Sequence, residues 1–369
     1  MKKIMLAMGT RPEVIKMEAV YHQLLENESF EPIVCMSGQH LELTRPLIDL
    51  FNLKIDFALN LMEKNQGLSS LAAKVMNSMP AVLEEASPDA VLVQGDTTTA
   101  FAVALASFHE GIPVGHVEAG LRTGRLDSPF PEEANRSMLS RVATWHFAPT
   151  QGAAEALAKE NVLSNVHVTG NTVVDALERM RRRIENAEVE TQTRGLEKNR
   201  FVLVTTHRRE SFGQKMQEIC GAISDLAENF PELTFVLPVH PNTKVAMPVE
   251  QVVAKVKNVE LIEPLSYEKF IAMMMNCRLI LTDSGGIQEE APSFGKPVVV
   301  MRDFTERKEA LETKAIVLAG TERKCIVETA QSFLKQGEGF STGSENPFGD
   351  GRASMRIVSI LGRDLLSGK

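Results

Sequence analysis

An α/β fold of two doubly wound, parallel-sheet domains facing a central cleft is what this sequence predicts, on three observations. Short apolar runs alternate with stretches of helical period from end to end, the pattern of βαβ units and a parallel sheet. At 369 residues the chain is too long for one ordinary core and suits two domains of roughly 100 to 200 residues each. The alternation also halts at a polar, charge-rich stretch, RRRIENAEVETQTRGLEKNR, and then begins again.

In the first half the expected strands are KIMLAM, EPIVCM, AVLVQ, PVGHVE and WHFAP, with helical spacing between them, as in Glu13 to Asn27 and Thr97 to Glu110. In the second half they are RFVLVTT, LTFVLPV, VELIEP, RLILTD, KPVVVM and AIVLAG. The repeat is architectural, without residue-level identity. The polar stretch places the linker near residues 165 to 195, because domain boundaries fall in exposed, charge-rich segments. The first domain is therefore taken as residues 1–170 and the second as 171–351, and the tail NPFGDGRASMRIVSILG returns to helical period. Doubly wound sheets bind ligands outside the carboxyl ends of their strands, so two facing ones would line a single cleft.

Composition narrows the function classes. With 43% hydrophobic and 24% charged residues the chain has the make-up of a soluble globular protein. Its formal net charge is -8, and no Lys/Arg block is long enough to track a phosphate backbone, so no nucleic-acid partner is expected. The run Arg181, Arg182, Arg183 is flanked by acids at helical spacing and reads as a solvated helix face. Cys35, Cys220, Cys277 and Cys325 are scattered, with no CxxC pair and no His at metal-ligand spacing. They read as reduced thiols of a cytoplasmic protein, with no metal site. The opening MKKIMLAMGT ends its apolar run at Gly9 and is followed by Arg11, too short for a signal h-region, so it reads as a first strand. No stretch reaches the about 18 consecutive apolar residues of a spanning helix, so neither export nor membrane insertion is expected.

Chemistry-bearing residues cluster at the expected strand ends. In LTDSGGIQEEAPSFGKPVVVM the strand runs into Ser284, Gly285 and Gly286 and then a helix start, whose free backbone amides and dipole suit an anion. Ser284 serves there either as helix cap or as hydroxyl donor, and Glu290, further along, is placed to accept from a vicinal diol such as ribose. Phosphate plus ribose means a nucleotide. MGTRPEVIK repeats the arrangement at the first strand end, with Gly9 for a close turn and the cations Arg11 and Lys16. VQGDTTT puts Asp96 just after a strand, where an acid is equally what a helix N-cap would be. Glu118 in HVEAGLRTG ends an apolar strand and caps nothing obvious, and it shares a strand face with His116 two residues before it. SPFPEEANR follows two prolines with Glu132 and Glu133, one of which could simply head a helix. VTTHRRES sets His207 at a strand end beside Arg208 and Arg209, His240 in VHPN is a weaker analogue, and Arg307 follows a later strand. No GxGxxG fingerprint with a downstream ribose acid and no Walker motif is present, which removes support for NAD redox chemistry and NTP hydrolysis.

Taken together and in order, GTRPEVIK, QGDTTT, HVEAGLRTG, PFPEEANR, HRRES and LTDSGGIQEEAPSFGKPVVVMRDFTER closely resemble the non-hydrolysing UDP-N-acetylglucosamine 2-epimerases, over nearly the whole chain. The resemblance implies two Rossmann-like domains of glycosyltransferase-B architecture, with a final helix at about residues 352–369 crossing back to the first domain. It implies reversible conversion of UDP-N-acetylglucosamine to UDP-N-acetylmannosamine by anti elimination of UDP, through 2-acetamidoglucal, and re-addition, with the product feeding surface polysaccharide synthesis. Asp96, Glu118 and Glu132 match the family's catalytic acids and His207 its essential histidine. Arg11, Lys16, Ser284, Gly285, Gly286, Glu290 and Arg307 match UDP-binding positions, and Phe270 the uracil-side contact. Gln39, His40, Arg208 and His240 stand where a second substrate molecule would act allosterically. No cofactor is implied, and a homodimer is. Gln94, Thr206 and Leu265 depart from the family's usual histidine, glycine and glutamine. Three rival readings differ in outcome: a hydrolysing relative would accumulate UDP, a glycosyltransferase would need an acceptor, and a silent sensor would turn nothing over.

Overall fold

The computed structural model describes residues 1–37, 41–61, 63, 66–186, 195–206, 213–239, 256–305, 307–337 and 346–366. The chain divides into two compact units, Met1–Ala176 with Phe348–Lys369, and Leu177–Pro347.

The first unit is built on strands β1 (Lys2–Met8), β2 (Phe30–Met36), β3 (Phe57–Ala58), β4 (Ala90–Gln94), β5 (Val114–Val117), β6 (Trp145–Ala148) and β7 (Val166–Val168). They form one sheet in the order β3-β2-β1-β4-β5-β6-β7, and every pairing is parallel. Ile4, Met5 and Leu6 are fully buried in succession, because helices cover both faces of a parallel sheet and its strands read as unbroken apolar runs. Those helices are α1 (Arg11–Leu25), α2 (Leu41–Leu50), α3 (Leu68–Ala86), α4 (Thr98–His109), α5 (Glu132–Val142) and α6 (Gln151–Lys159).

The C-terminal helix, Ala353–Leu366, packs on α1 within this unit. Its first turn is held by Asp175, whose carboxylate accepts from Ala353 N (3.1 Å), Ser354 N (2.8 Å) and Ser354 Oγ (2.5 Å). Near its end, Trp145 Nε1 donates to Asp364 Oδ2 at 2.8 Å.

Helix α7 (Thr172–Asn186) runs through the division between the units at Ala176 and Leu177. The start of the charge-rich stretch is thus helical, and Arg181 pairs with Glu178 one turn away at 2.7 Å, the solvated helix face its spacing predicts. The second unit repeats the winding of the first. Strands β8 (Phe201–Thr205), β9 (Thr234–Pro238), β10 (Val259–Ile262), β11 (Leu279–Thr282), β12 (Val298–Val300) and β13 (Ile316–Leu318) lie in the order β10-β9-β8-β11-β12-β13, again all parallel. Its helices are α8 (Gln214–Asn229), α9 (Tyr267–Asn276), α10 (Gly285–Glu290), continued by a 3-10 turn over Ala291–Phe294, α11 (Lys308–Glu312) and α12 (Arg323–Leu334). Ile219, Ile223 and Leu226 of α8 and Ile326 and Leu334 of α12 pack with Phe235, Leu279, Leu281 and Val299 of the sheet. Each such side chain contributes about 1.5–3 kcal/mol by leaving water.

Both sheets have the order 3-2-1-4-5-6 counted within their own unit, with one further strand at the edge of the first. The winding reverses between β1 and β4 and between β8 and β11, and ligands of such sheets bind at those reversals. All eleven strands expected from sequence are present, and β3 and β7 add to them. Cys35, Cys220 and Cys277 are buried free thiols whose burial pushes them up to about 12, 11 and 12, so they are inert as nucleophiles. Among the described residues no helix is long and apolar enough to cross a membrane.

Candidate functional site

At the reversal in the first unit, the turn after β1 and the turn after β4 are joined by one carboxylate. Glu13, 2% exposed, accepts from Gly9 N and Thr10 N, both at 2.7 Å, and from Thr97 Oγ1 at 2.7 Å. Burial pushes its acidity down, raising the pKa, and these hydrogen bonds oppose that shift. Thr97 is in turn the N-cap of α4, accepting from Ala100 N at 3.0 Å.

The cap reading of Asp96 is therefore corrected: the neighbouring threonine takes that place, and the Asp96 side chain is released to Arg136. Nε and Nη2 of Arg136 both lie 2.8 Å from Asp96 Oδ2, and Asn135 Nδ2 donates to the Asp96 carbonyl at 2.8 Å. The third guanidinium nitrogen, Nη1, meets Glu133 Oε2 at 2.8 Å. Glu133 is buried and its other oxygen accepts from Thr123 N (2.9 Å) and Gly124 N (3.0 Å). Of the adjacent acids, Glu133 thus braces the loop, while the partly buried Glu132 heads α5, where the helix dipole favours an acid.

Glu118 follows β5 with φ +67, a left-handed conformation that costs an unbranched non-glycine residue about 1–3 kcal/mol and persists where surroundings impose it. Strand alternation stops at Val117, so Glu118 does not share a strand face with His116 as the two-residue spacing suggests. Its carboxylate is buried at 7% exposure, ion-pairs with Lys16 Nζ and accepts from Asn171 Nδ2 at 3.0 Å. Gly120, at φ +92, has to be glycine: a Cβ there would come 2.3 Å from the Ala153 carbonyl oxygen. His116 Nε2 lies 2.8 Å from the Gly95 carbonyl and so carries the proton. Burial, with Arg122 and Arg136 nearby, drives its pKa to about 3. A neutral His116 therefore holds the turn that presents Asp96. Arg11 is exposed in the first turn of α1.

At the reversal in the second unit, the hydroxyls of Thr205 and Thr282 lie 2.6 Å apart, and Thr206 Oγ1 donates to the buried Asp283 at 3.0 Å. The threonine at 206 accordingly has a structural partner. Ser284 is the N-cap of α10 by backbone geometry, and its side chain makes no cap bond to that helix. Among the described residues, a Cβ on Gly286 would meet nothing nearer than Ser284 Oγ at 3.9 Å.

The polar side chains of IQEE divide their work. Gln288 donates to the Ser284 carbonyl (3.1 Å) and accepts from Thr305 Oγ1 (2.7 Å), which accepts from Arg307 N (3.2 Å). Glu289 Oε1 takes Nε and Nη2 of Arg307, both at 2.9 Å. The two residues thus fasten the loop carrying Arg307 to the turn carrying Ser284. Glu290 ends α10, partly buried. Phe270 is partly buried on α9. Gln94 is buried at the end of β4, and Leu265 is partly buried just before α9. His207, Arg208, Gln39, His40 and His240 lie outside the described residues.

Sequence reading missed Glu13, Asn135, Arg136, Asn171 and Gln288. Two of them carried a local signal: Glu13 stands three residues after Thr10, the capping-box spacing, and Arg136 one turn after Glu133. Asn171 in TGNTVVDA had none.

Two doubly wound units, with acids and a buried lysine at one reversal and a Ser-Gly-Gly turn with a fastened arginine at the other, define an α/β enzyme class that handles an anionic, nucleotide-like ligand. The chain belongs to the UDP-N-acetylglucosamine 2-epimerase family, whose model matches residues 22–362. It is 45% identical to the UDP-N-acetylglucosamine 2-epimerase of Escherichia coli O157:H7 over 376 residues, covering 99% of this chain and 100% of that one. A crystal structure of the Neisseria meningitidis UDP-GlcNAc 2-epimerase bound to UDP-GlcNAc superposes with a TM-score of 0.92 at 42% identity, covering 98% of this chain and 100% of that one. The S. aureus MnaA-UDP co-structure gives a TM-score of 0.90 at 40% identity, covering 99% and 97%.

Proposed function

We propose that this epimerase interconverts UDP-N-acetylglucosamine and UDP-N-acetylmannosamine by anti elimination of UDP followed by re-addition. The C2 hydrogen of the sugar is not beside a carbonyl, so its removal needs help from cleavage of the anomeric bond. A carboxylate takes the C2 proton, the C–H electrons form the C1–C2 double bond of 2-acetamidoglucal, and the C1–O pair leaves with UDP. On return, C2 receives its proton on the opposite face while UDP oxygen re-forms the bond to C1. Two faces require at least two proton-transfer groups, and Asp96, Glu118, Glu132 and His207 are assigned to that work.

A departing diphosphate requires fixed positive charge and amide donors, assigned to Arg11, Lys16, Ser284, Gly285, Gly286 and Arg307, with Glu290 on the ribose and Phe270 beside uracil. Carbon is neither oxidised nor reduced overall, so the scheme asks for no redox cofactor. The observation that carries this reading is Glu118, an acid restrained in a left-handed turn after β5, the strand next to the reversal, and joined to Lys16.

The same reading has the enzyme act in the cytoplasm as a homodimer, its product supplying surface polysaccharide. Gln39, His40, Arg208 and His240 would receive a second substrate molecule as activator. Incubation with UDP-N-acetylglucosamine in deuterated water tests the chemistry, with deuterium at C2 of both epimers the expected result. Epimerisation without incorporation would end the elimination scheme, and accumulation of UDP with free N-acetylmannosamine would turn the reading to hydrolysis.

A further inference from the structure

Asn171 stands where the chain enters α7, 2% exposed, and each of its polar groups is committed. Its Oδ1 accepts from Val173 N at 3.0 Å, the bond of an N-cap residue. With the oxygen spent on the helix, the amide nitrogen is turned to Glu118 and donates to Oε2 at 3.0 Å, the same oxygen that Lys16 addresses. Its backbone N donates to the Phe348 carbonyl at 2.7 Å, where the chain returns to the first unit. Around it, a Cβ on Gly349 would lie 3.3 Å from Gly170 Cα, and Arg356 Nη1 donates to the Thr169 carbonyl at 2.9 Å. The segment from Thr169 to Asn171 is therefore clamped by the returning chain, and its amide is a fixed donor aimed at a carboxylate held in an unfavourable backbone conformation.

We infer that Asn171 is a positioning residue of the epimerase reaction: through Nδ2 it sets the orientation of the Glu118 carboxylate, with its own amide locked by the cap of α7 and by Phe348. An arginine or lysine in its place would compete with Lys16 for the same oxygen, whereas a neutral amide adds direction without adding charge. The inference rests on the reading that Glu118 transfers a proton at C2.

Two substitutions separate orientation from capping. Asn171→Ser keeps an oxygen that caps Val173 N but is too short to reach Glu118. Asn171→Asp keeps the cap and the size but sets an oxygen against Oε2, and neighbouring carboxylates cannot both ionise freely. For each, with Glu118→Gln alongside, kcat, KM, the acid limb of the kcat–pH profile and the thermal midpoint are measured on the full-length enzyme. Asn171→Ser should lose about tenfold or more in kcat, since small misplacements of a reacting group cost that much, with KM within about threefold and the midpoint nearly unmoved. Asn171→Asp should lose more and move the acid limb up by about one pH unit or more. Wild-type kcat and an unmoved limb in Asn171→Asp, beside an inactive Glu118→Gln, overturn the inference alone. A kcat loss that merely follows a fall in thermal midpoint, with the limb in place, also overturns it by making Asn171 a structural cap. Near-normal turnover in Glu118→Gln removes the underlying assignment of Glu118 instead.

Discussion

Arg136 closes a two-nitrogen fork on Asp96, Nε and Nη2 each 2.8 Å from Oδ2, while its Nη1 meets Glu133 Oε2 at 2.8 Å. One guanidinium from α5 thus holds a candidate proton-transfer acid and the acid that braces the loop over Thr123 and Gly124. The fork is what a lysine lacks, because an ammonium is a point charge without planar pairing.

Arg136→Lys is accordingly expected to fold but to lose about tenfold or more in kcat, as Asp96 loses its fixed orientation. Arg136→Met removes the charge from beside Glu133, whose side chain is 2% exposed, and should cost about 3–5 kcal/mol of stability, the usual result of stranding a buried charge. Urea denaturation measures it, and a loss under about 1 kcal/mol would mean that the ion pairs are not structural. Asp96→Asn can still accept from the fork, so its expected signature differs: stability close to wild type with turnover reduced by orders of magnitude.

In the second unit the same logic applies to binding. Gln288 ties the Ser284 carbonyl to Thr305, and Glu289 ties down Arg307. If Arg307 and the Ser-Gly-Gly turn hold the diphosphate, Gln288→Ala should weaken UDP binding by about tenfold, since a buried hydrogen-bonded link worth about 1–1.5 kcal/mol is lost. Isothermal titration with UDP reads this directly. Unchanged UDP affinity would show that the loop keeps its place without Gln288.

The strands were legible because both faces of a parallel sheet are buried and their apolar runs are continuous. β3 is only two residues long, and β7, though as long as β12 and β13, has His167 in its middle and no fully buried position, so neither gives such a run. Site residues were legible by place and less so by partner. Asp96 and Thr97 are both good caps, and local sequence does not choose between them. The choice is made by Glu13, 84 positions from Thr97, and by Arg136, 40 positions from Asp96. Likewise Lys16 and Glu118 lie 102 positions apart, so reading each as an isolated group could not reveal that the cation and the acid are one pair. A consequence follows for mutagenesis: Glu118→Gln also alters the setting of Lys16, so a change in substrate affinity accompanies it, whereas Asp96→Asn leaves that cation untouched.

His116 makes stability depend on pH. Burial first, with His146, Arg122 and Arg136 adding to it, depresses its folded pKa to about 3, against an ordinary imidazole value of about 6.5. Below pH 6.5 the unfolded chain takes up a proton that the folded state refuses. The stability contributed by neutral His116 is thus complete above about pH 6.5 and is lost as pH falls from there towards 3, by up to about 1.4 kcal/mol per pH unit. Glu13 and Asp175, whose burial raises their pKa values, act in the opposite sense, losing stability as pH rises. The difference between wild type and His116→Gln isolates the histidine, since the glutamine amide can still donate to the Gly95 carbonyl. Urea midpoints at pH 7 and pH 4.5 should fall less in the variant, and equal falls would remove His116 from the acid response.

Asp175 fixes the C-terminal helix through three donors, Ala353 N, Ser354 N and Ser354 Oγ, from a position 3% exposed on α7. Two of these are first-turn amides that have no carbonyl partner inside their own helix. In Asp175→Ala they would stay buried without an acceptor, at a cost of about 2–4 kcal/mol from the lost cap and the unmet donors together. Asp175→Asn retains one acceptor oxygen and should lose about half of that. Because Asn171 N binds Phe348 and Arg356 binds the Thr169 carbonyl, loosening the helix should also reach the segment that carries Asn171. Hydrogen exchange is the measurement: in Asp175→Ala, protection should fall together at residues 353–358 and 169–173, while the strands of the second unit keep theirs. Loss confined to the C-terminal helix would mean that the returning chain does not support the segment beneath Glu118.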